Sequence, residues 1–161
     1  MRKILATIAV FAILLSFTSA HNANDVDTKI DAFAPNFKVS NKNTELSLSE
    51  LRGNYVLVNF WSSDNADSRI RNIEYDRFTN NNDAVSYVSI NFDDNSKLFQ
   101  EVLKNDRINS ETQFHLEDGK ENEVYKRFHL ENGFNSFLIS REGKIMAVNP
   151  SKQKLTELLC Q

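Results

Sequence analysis

Few residues in this chain have chemistry to offer. There is one cysteine, Cys160, beside the C-terminus. It allows no internal disulfide, and a dithiol reaction would lack its second thiol. Next to Leu158 and Leu159, Cys160 reads as half-buried or as part of a frayed tail. As a catalyst it lacks a resolving partner and a helix N-terminus to lower its pKa. An odd thiol instead invites an intermolecular disulfide, hence a Cys160-linked dimer. His115 and His129 have Glu117, Asp118 and Glu131 nearby in sequence, without the HExxH spacing of a metal site. They read as surface histidines, and neither a metal nor another cofactor is expected. Asp93-Asp94-Asn95-Ser96 carries oxygens that suit calcium, but no EF-hand loop follows, so it reads as the cap of a helix.

The most telling stretch is FWSSDNADSR, residues 60 to 69. An apolar run, Tyr55 to Trp61, breaks at once into seven small or polar residues. A serine there could act as a nucleophile only with an activating base, and no histidine lies nearby in sequence. Ser63, Asp64 and Asn65 are good N-caps, and Asp67 in a first helical turn suits the helix dipole. Two uses fit: capping alone, or a notch whose N–H donors accept an anion or a peptide carbonyl.

The elements that would position these residues alternate between strand and helix. Tyr55–Trp61 and Ala84–Phe92 are nearly continuous β-branched and aromatic runs, as for strands buried on both faces. Between them Ile70, Ile73 and Phe78 predict one helical stripe. Leu98, Phe99, Val102 and Leu103 predict a second helix, Thr112–Leu116 a short strand, and Val124, Tyr125 and Phe128 a short helix. Ser136–Ser140 and Lys144–Val148 flank Arg141-Glu142-Gly143 as a hairpin. Ser151 then caps a terminal helix carrying Leu155, Leu158 and Leu159. The order β-α-β-α-(β)-α-β-β-α implies an α/β fold with a mixed sheet: parallel strands joined by right-handed crossovers, then an antiparallel hairpin.

Ala34-Pro35-Asn36-Phe37, Leu46 to Asn54, Tyr55 to Trp61, and Phe137 to Ile145 occur in the order and wording of one family. Over roughly residues 32 to 159 the chain resembles the exported TlpA/ResA-like thiol-disulfide oxidoreductases of the AhpC/TSA group, which have the thioredoxin fold. In that family, Phe-Trp is followed by three residues and then Cys-x-x-Cys. The same count here places Asn65 and Ser68 at the cysteine positions. The family's cis-proline, which precedes its "TxFLID" strand and faces the cysteines, falls at Phe134, where an ordinary trans peptide is expected. The family's proline one turn after the second cysteine falls at Ile73. Trp61, near the active site in the family, is expected to pack in the core or the site wall. Trp61, Asn65, Ser68 and Phe134 are thus vestigial positions, and no residue is assigned a catalytic role.

Composition sets further bounds. Arg2 and Lys3 precede the apolar run Ile4 to Phe17, and small residues Thr18-Ser19-Ala20 follow, as in an export signal. Removing residues 1–20 leaves 17 Lys/Arg against 22 Asp/Glu. The charges are interleaved without a basic stripe, so nucleic-acid binding has no footprint. The expected organisation is a signal peptide at 1–20, a lead-in at 21–30 and a thioredoxin-like domain at 31–161. The expected function is a periplasmic or secreted, redox-inactive fold that binds a protein or peptide. Membrane contact is expected only if the N-terminal segment is retained. The rival is a thiol-disulfide oxidoreductase or peroxidase-like enzyme using Cys160 or a partner's thiol.

Overall fold

The structure is a computed structural model that describes residues 28–160. The signal-like segment, most of the lead-in (21–27) and Gln161 lie outside the described residues. Eleven strands and helices follow in order: β1 (Lys38–Ser40), β2 (Glu45–Ser47), β3 (Tyr55–Trp61), α1 (Ala66–Thr79), β4 (Val85–Asn91), α2 (Ser96–Asp106), β5 (Gln113–His115), α3 (Glu123–Arg127), β6 (Ser136–Ile139), β7 (Ile145–Val148) and α4 (Lys152–Leu159). The short β1–β2 hairpin is the element that the sequence does not announce.

The main sheet has strand order β5-β4-β3-β6-β7. β3, β4 and β5 are parallel, and β6 and β7 continue antiparallel. The central place of β3 explains its composition, since every residue from Val56 to Trp61 is buried. Alternate side chains face opposite sides of the sheet. Val56, Val58 and Phe60 join Phe37, Phe128 and Phe137 in the largest core cluster. The Phe60 and Phe128 ring centroids are 4.6 Å apart. Leu57 packs on the other side with Tyr75 of α1, Leu138 of β6 and Leu155 of α4. Trp61 joins Phe99, Val102 and Leu103 of α2. The β6–β7 turn needs Gly143 because its φ is +85°, a left-handed value that L side chains rarely adopt.

Helix α1 corrects the sequence reading. Ile70 is 54% exposed, and Ile73 and Phe78 are only partly buried. The inward face is instead Ser68, Asn72, Tyr75 and Asp76. The cause lies in the sheet beneath. Strand register aligns Ser136, Asn59, Ser89 and Gln113 in one polar row across four strands. Asn72 sits over that row. Its side-chain oxygen accepts from the Tyr87 hydroxyl at 2.7 Å, the Ser89 hydroxyl at 2.7 Å and the Gln113 amide at 3.2 Å. Its amide donates to Gln113 Oε1 at 3.1 Å. Burial pushes the Tyr87 phenol up, which keeps it a neutral donor. Asn59 in the same row is fully buried, with no protein partner for either polar side-chain atom.

Each outer edge of the sheet receives hydrogen bonds from the N-terminal part of the described chain. Beside β7, Phe33 bridges Lys144, the Asp31 N–H donates to the Ile145 carbonyl, and the Ile145 N–H donates to the Ala32 carbonyl. Beside β5, the Asn41 side-chain amide from the β1–β2 turn donates to the carbonyls of Glu111 and Gln113.

Candidate functional site

Strands β3 and β4 end side by side, and β6 starts at the same end of the sheet. Three segments therefore converge: 62–65 after β3, 92–95 after β4, and 133–135 before β6. In open α/β sheets this carboxyl end is where ligands bind. Here the segments enclose a groove of about 740 Å³.

The first wall carries Asn65 and Ser68. Asn65 is the N-cap of α1, and its side-chain oxygen accepts the Ser68 N–H at 2.9 Å. Ser68 is fully buried behind it. The Ser68 hydroxyl donates to the Asn65 carbonyl at 3.0 Å and accepts the Ser62 N–H at 3.4 Å. Both side chains thus satisfy backbone groups at a helix start, which would otherwise be orphaned. Neither can form a thiolate.

The second wall holds Asp93, which sequence reasoning assigned only to a helix cap. The cap of α2 is its neighbour Asn95, which accepts the Lys97 and Leu98 N–H groups at 2.9 and 3.3 Å. Asp93, 6% exposed, instead accepts the Ser63 N–H at 2.7 Å and the Ser63 hydroxyl. It ties the loop after β3 to the end of β4. A carboxylate directly after a buried strand was the available signal.

The third wall is Phe134. Its peptide is trans, like all others among the described residues. Its ring stacks on Phe92 at 6.1 Å and meets Tyr125 edge-on at 6.1 Å, giving the groove an aromatic floor. Arg71 of α1 donates to the Phe134 carbonyl at 2.6 Å, so the loop is fastened to the helix. Nothing in the sequence pairs Arg71 with Phe134. Around this floor stand Asp64, Asp93, Asp94, Asp118, Glu121 and Glu131, with Lys120 the sole lining cation among the described residues.

The remaining candidates lie elsewhere. Trp61 is fully buried against Phe99 at 6.0 Å and does not line the groove. Cys160 is exposed at the end of α4, which packs on β6 and β7, so it is neither half-buried nor part of the groove. His129 is partly exposed beside Glu131. His115 departs from the expectation of a surface residue. It is half-buried, stacks on Phe99 at 5.1 Å, and its Nδ1 bonds the Asn91 side-chain oxygen at 2.9 Å. Burial lowers its pKa below the usual histidine value, against an opposing pull from Asp93 and Glu117. No group of three or more His, Cys, Asp or Glu among the described residues is placed to hold a metal.

The model of the AhpC/TSA family matches residues 30–148, most of the chain. The chain belongs to the AhpC/TSA family. Its fold is thioredoxin-like, as solved structures of similar proteins show. A thioredoxin-like protein from Parabacteroides distasonis is 34% identical, with a TM-score of 0.72 over 83% of this chain and 96% of that one. A thiol-disulfide oxidoreductase from Bacteroides fragilis is 27% identical, with a TM-score of 0.66 over 80% and 97%. The thioredoxin domain of a thiol-disulfide oxidoreductase from Bacteroides vulgatus matches at 20% identity with a TM-score of 0.69, over 83% and 96%, a likeness of fold alone. No curated protein matches the sequence. Within this AhpC/TSA chain the single cysteine leaves no Cys-x-x-Cys pair anywhere.

Proposed function

We propose that this AhpC/TSA-family chain is an exported, redox-inactive binding module that holds a protein or peptide segment in the groove between Asn65, Phe92 and Phe134. The observation that carries the reading is the use made of Asn65 and Ser68. Both are committed to the start of α1, one as its cap and one as a buried hydroxyl bonded to backbone. Thiol exchange needs an attacking thiolate and a resolving thiol. A carboxamide and an alcohol supply neither, and Cys160 stands at the end of another helix.

The groove keeps what binding needs. Three aromatic rings form its floor, and its shape is set by the Ser63–Asp93 and Arg71–Phe134 hydrogen bonds. Its carboxylates repel nucleic acid and acidic segments. Export rests on Arg2, Lys3 and the apolar run to Phe17.

Two measurements test the reading together. Insulin reduction by the wild-type protein should stay at background, and Cys160→Ser should leave it there. A photo-crosslinking residue at position 134 should trap a partner from exported fractions, while the same residue at Lys152 should not. Robust reduction abolished by Cys160→Ser would replace this reading with an enzyme working through Cys160.

A further inference from the structure

The end of the sheet opposite the groove has its own surface. Ile30 and Phe33, 58% and 59% exposed, are two of the few large apolar side chains open to solvent among the described residues. Cations flank Phe33. The Arg52 guanidinium lies 5.8 Å and the Lys144 ammonium 5.6 Å from the Phe33 ring centre. Arg141 lies 4.9 Å over the adjoining Tyr55 ring. Arg52 also donates to the Glu142 carbonyl, which joins the start of β3 to the β6–β7 turn. Arg52, Arg141 and Lys144 are thus gathered around exposed aromatic rings, with the Glu142 carboxylate close to Arg141 and Lys144. The groove end has the reverse balance. The two ends are separated by the length of β3, about 20 Å at 3.3 Å per residue, so the domain is electrically polar along its sheet.

The patch is also where the described chain begins. Thr28 is two residues from Ile30, and only ten residues separate it from the apolar run that ends at Phe17. That stretch can reach at most about 40 Å when fully extended. Along the chain, this patch is the part of the domain that follows the apolar run most closely. Exposed aromatic and aliphatic side chains ringed by Lys and Arg suit the interface of an anionic bilayer, where apolar groups enter the head-group boundary and cations meet lipid phosphates.

We propose that Ile30, Phe33, Arg52, Arg141 and Lys144 form a docking face for anionic lipid. The domain would then rest on a membrane by this end, with its acidic groove directed away from the surface. A retained N-terminal run would hold the patch close to the bilayer and raise its effective concentration there.

The test uses the full 161-residue chain carrying Phe33→Trp, since the one native tryptophan, Trp61, is fully buried and supplies a constant background. On vesicles containing phosphatidylglycerol, the added fluorescence should shift to the blue and be quenched several-fold more by brominated lipid than on phosphatidylcholine vesicles. High salt should reverse the difference, because it screens exposed charges. Arg141→Glu with Lys144→Glu should abolish it while circular dichroism stays native. If the double variant fails to fold, the salt reversal still decides the question. Equal solvent access of the new tryptophan on both vesicle types would overturn the proposal. So would shielding from acrylamide in buffer without lipid or detergent, which would show residues 1–27 or a second copy covering the patch.

Discussion

Ser63 and Asp93 are joined by two hydrogen bonds, from the Ser63 N–H at 2.7 Å and from its hydroxyl. They link the loop after β3 to the end of the neighbouring strand β4. The groove therefore has a fixed wall without any disulfide. Asp93→Ala would leave the Ser63 donors at a partly buried position without their partner. It should cost about 1–3 kcal/mol in denaturant unfolding, with the fold retained by circular dichroism. An unchanged midpoint would show that the loop is held by other contacts.

Asn65→Cys with Ser68→Cys tests how much of the redox geometry survives. Positions i and i+3 share a helix face, and Ser68 already lies within hydrogen-bonding reach of Asn65. The new pair should oxidise to a disulfide in air, read as loss of two titratable thiols while Cys160 remains reactive. Replacing the Asn65 cap should cost about 1 kcal/mol in the reduced form. Insulin reduction should stay weak if Phe134 stands, as the sequence resemblance implies, at the position of the family's proline. Turnover at the level of an intact oxidoreductase would show that Phe134 does not matter.

Asn59→Leu should raise stability by about 1–3 kcal/mol, since it removes two fully buried polar atoms with no protein partner and keeps a similar volume. The measurement is the denaturant midpoint at constant slope. A loss of stability would mean that the polar row under α1 contributes more as a network than its separate bonds suggest.

That row also shows what the sequence could and could not reveal. The strands that carry Val58 and Ile90 were legible as parallel members of one sheet because their runs are apolar almost throughout, and Gly143 marked the hairpin; in the register Val58 faces Val88 and Ile90 faces Phe60. Helix α1 was misread because its buried face is polar, so the search for apolar spacing settled on Ile70, which faces water. Hydrophobic periodicity identifies buried faces only when the surface beneath is apolar too. The hairpin of β1 and β2 escaped because each strand has three residues, too short for alternation to register. At the candidate site, Asn65 and Ser68 were singled out by the family resemblance, and the structure shows them at the start of α1. Asp93 and Arg71 were not singled out, because each acts on a residue some thirty or more positions away.

Two titratable groups, one buried and one half-buried, should act on stability with opposite signs. Burial raises the Asp76 carboxyl above its ordinary range, although the Asn109 N–H and the Asn80 amide pull it back. The folded state then holds this proton more tightly than the unfolded chain. The resulting stability is full below the ordinary carboxylate pKa and is lost as pH rises through the raised value. Asp76→Asn should remove that loss and make stability flatter on the alkaline side of about pH 4.

His115 works in the other direction. Its lowered pKa means that the unfolded chain binds the proton first. The stability it contributes is present above about pH 6.5 and is lost as pH falls through the lower folded value. His115→Phe, which retains an aromatic ring against Phe99, should weaken the acid-side decline. Urea titrations at pH 7.5, 6.5 and 5.5 would measure it, and an identical decline in the variant would assign the effect to other groups.

The hydrogen-bonded sheet edges have a consequence for how the protein behaves in a crowded compartment. An open strand edge offers a row of free N–H and C=O groups on which a second chain can extend the sheet, the usual first step of strand exchange and fibril growth. Here Asn41 occupies the carbonyls beside β5, and residues 31–34 shield β7. At those positions the backbone groups are already bonded, so a second chain would have to displace Asn41 or residues 31–34 before it could extend the sheet there.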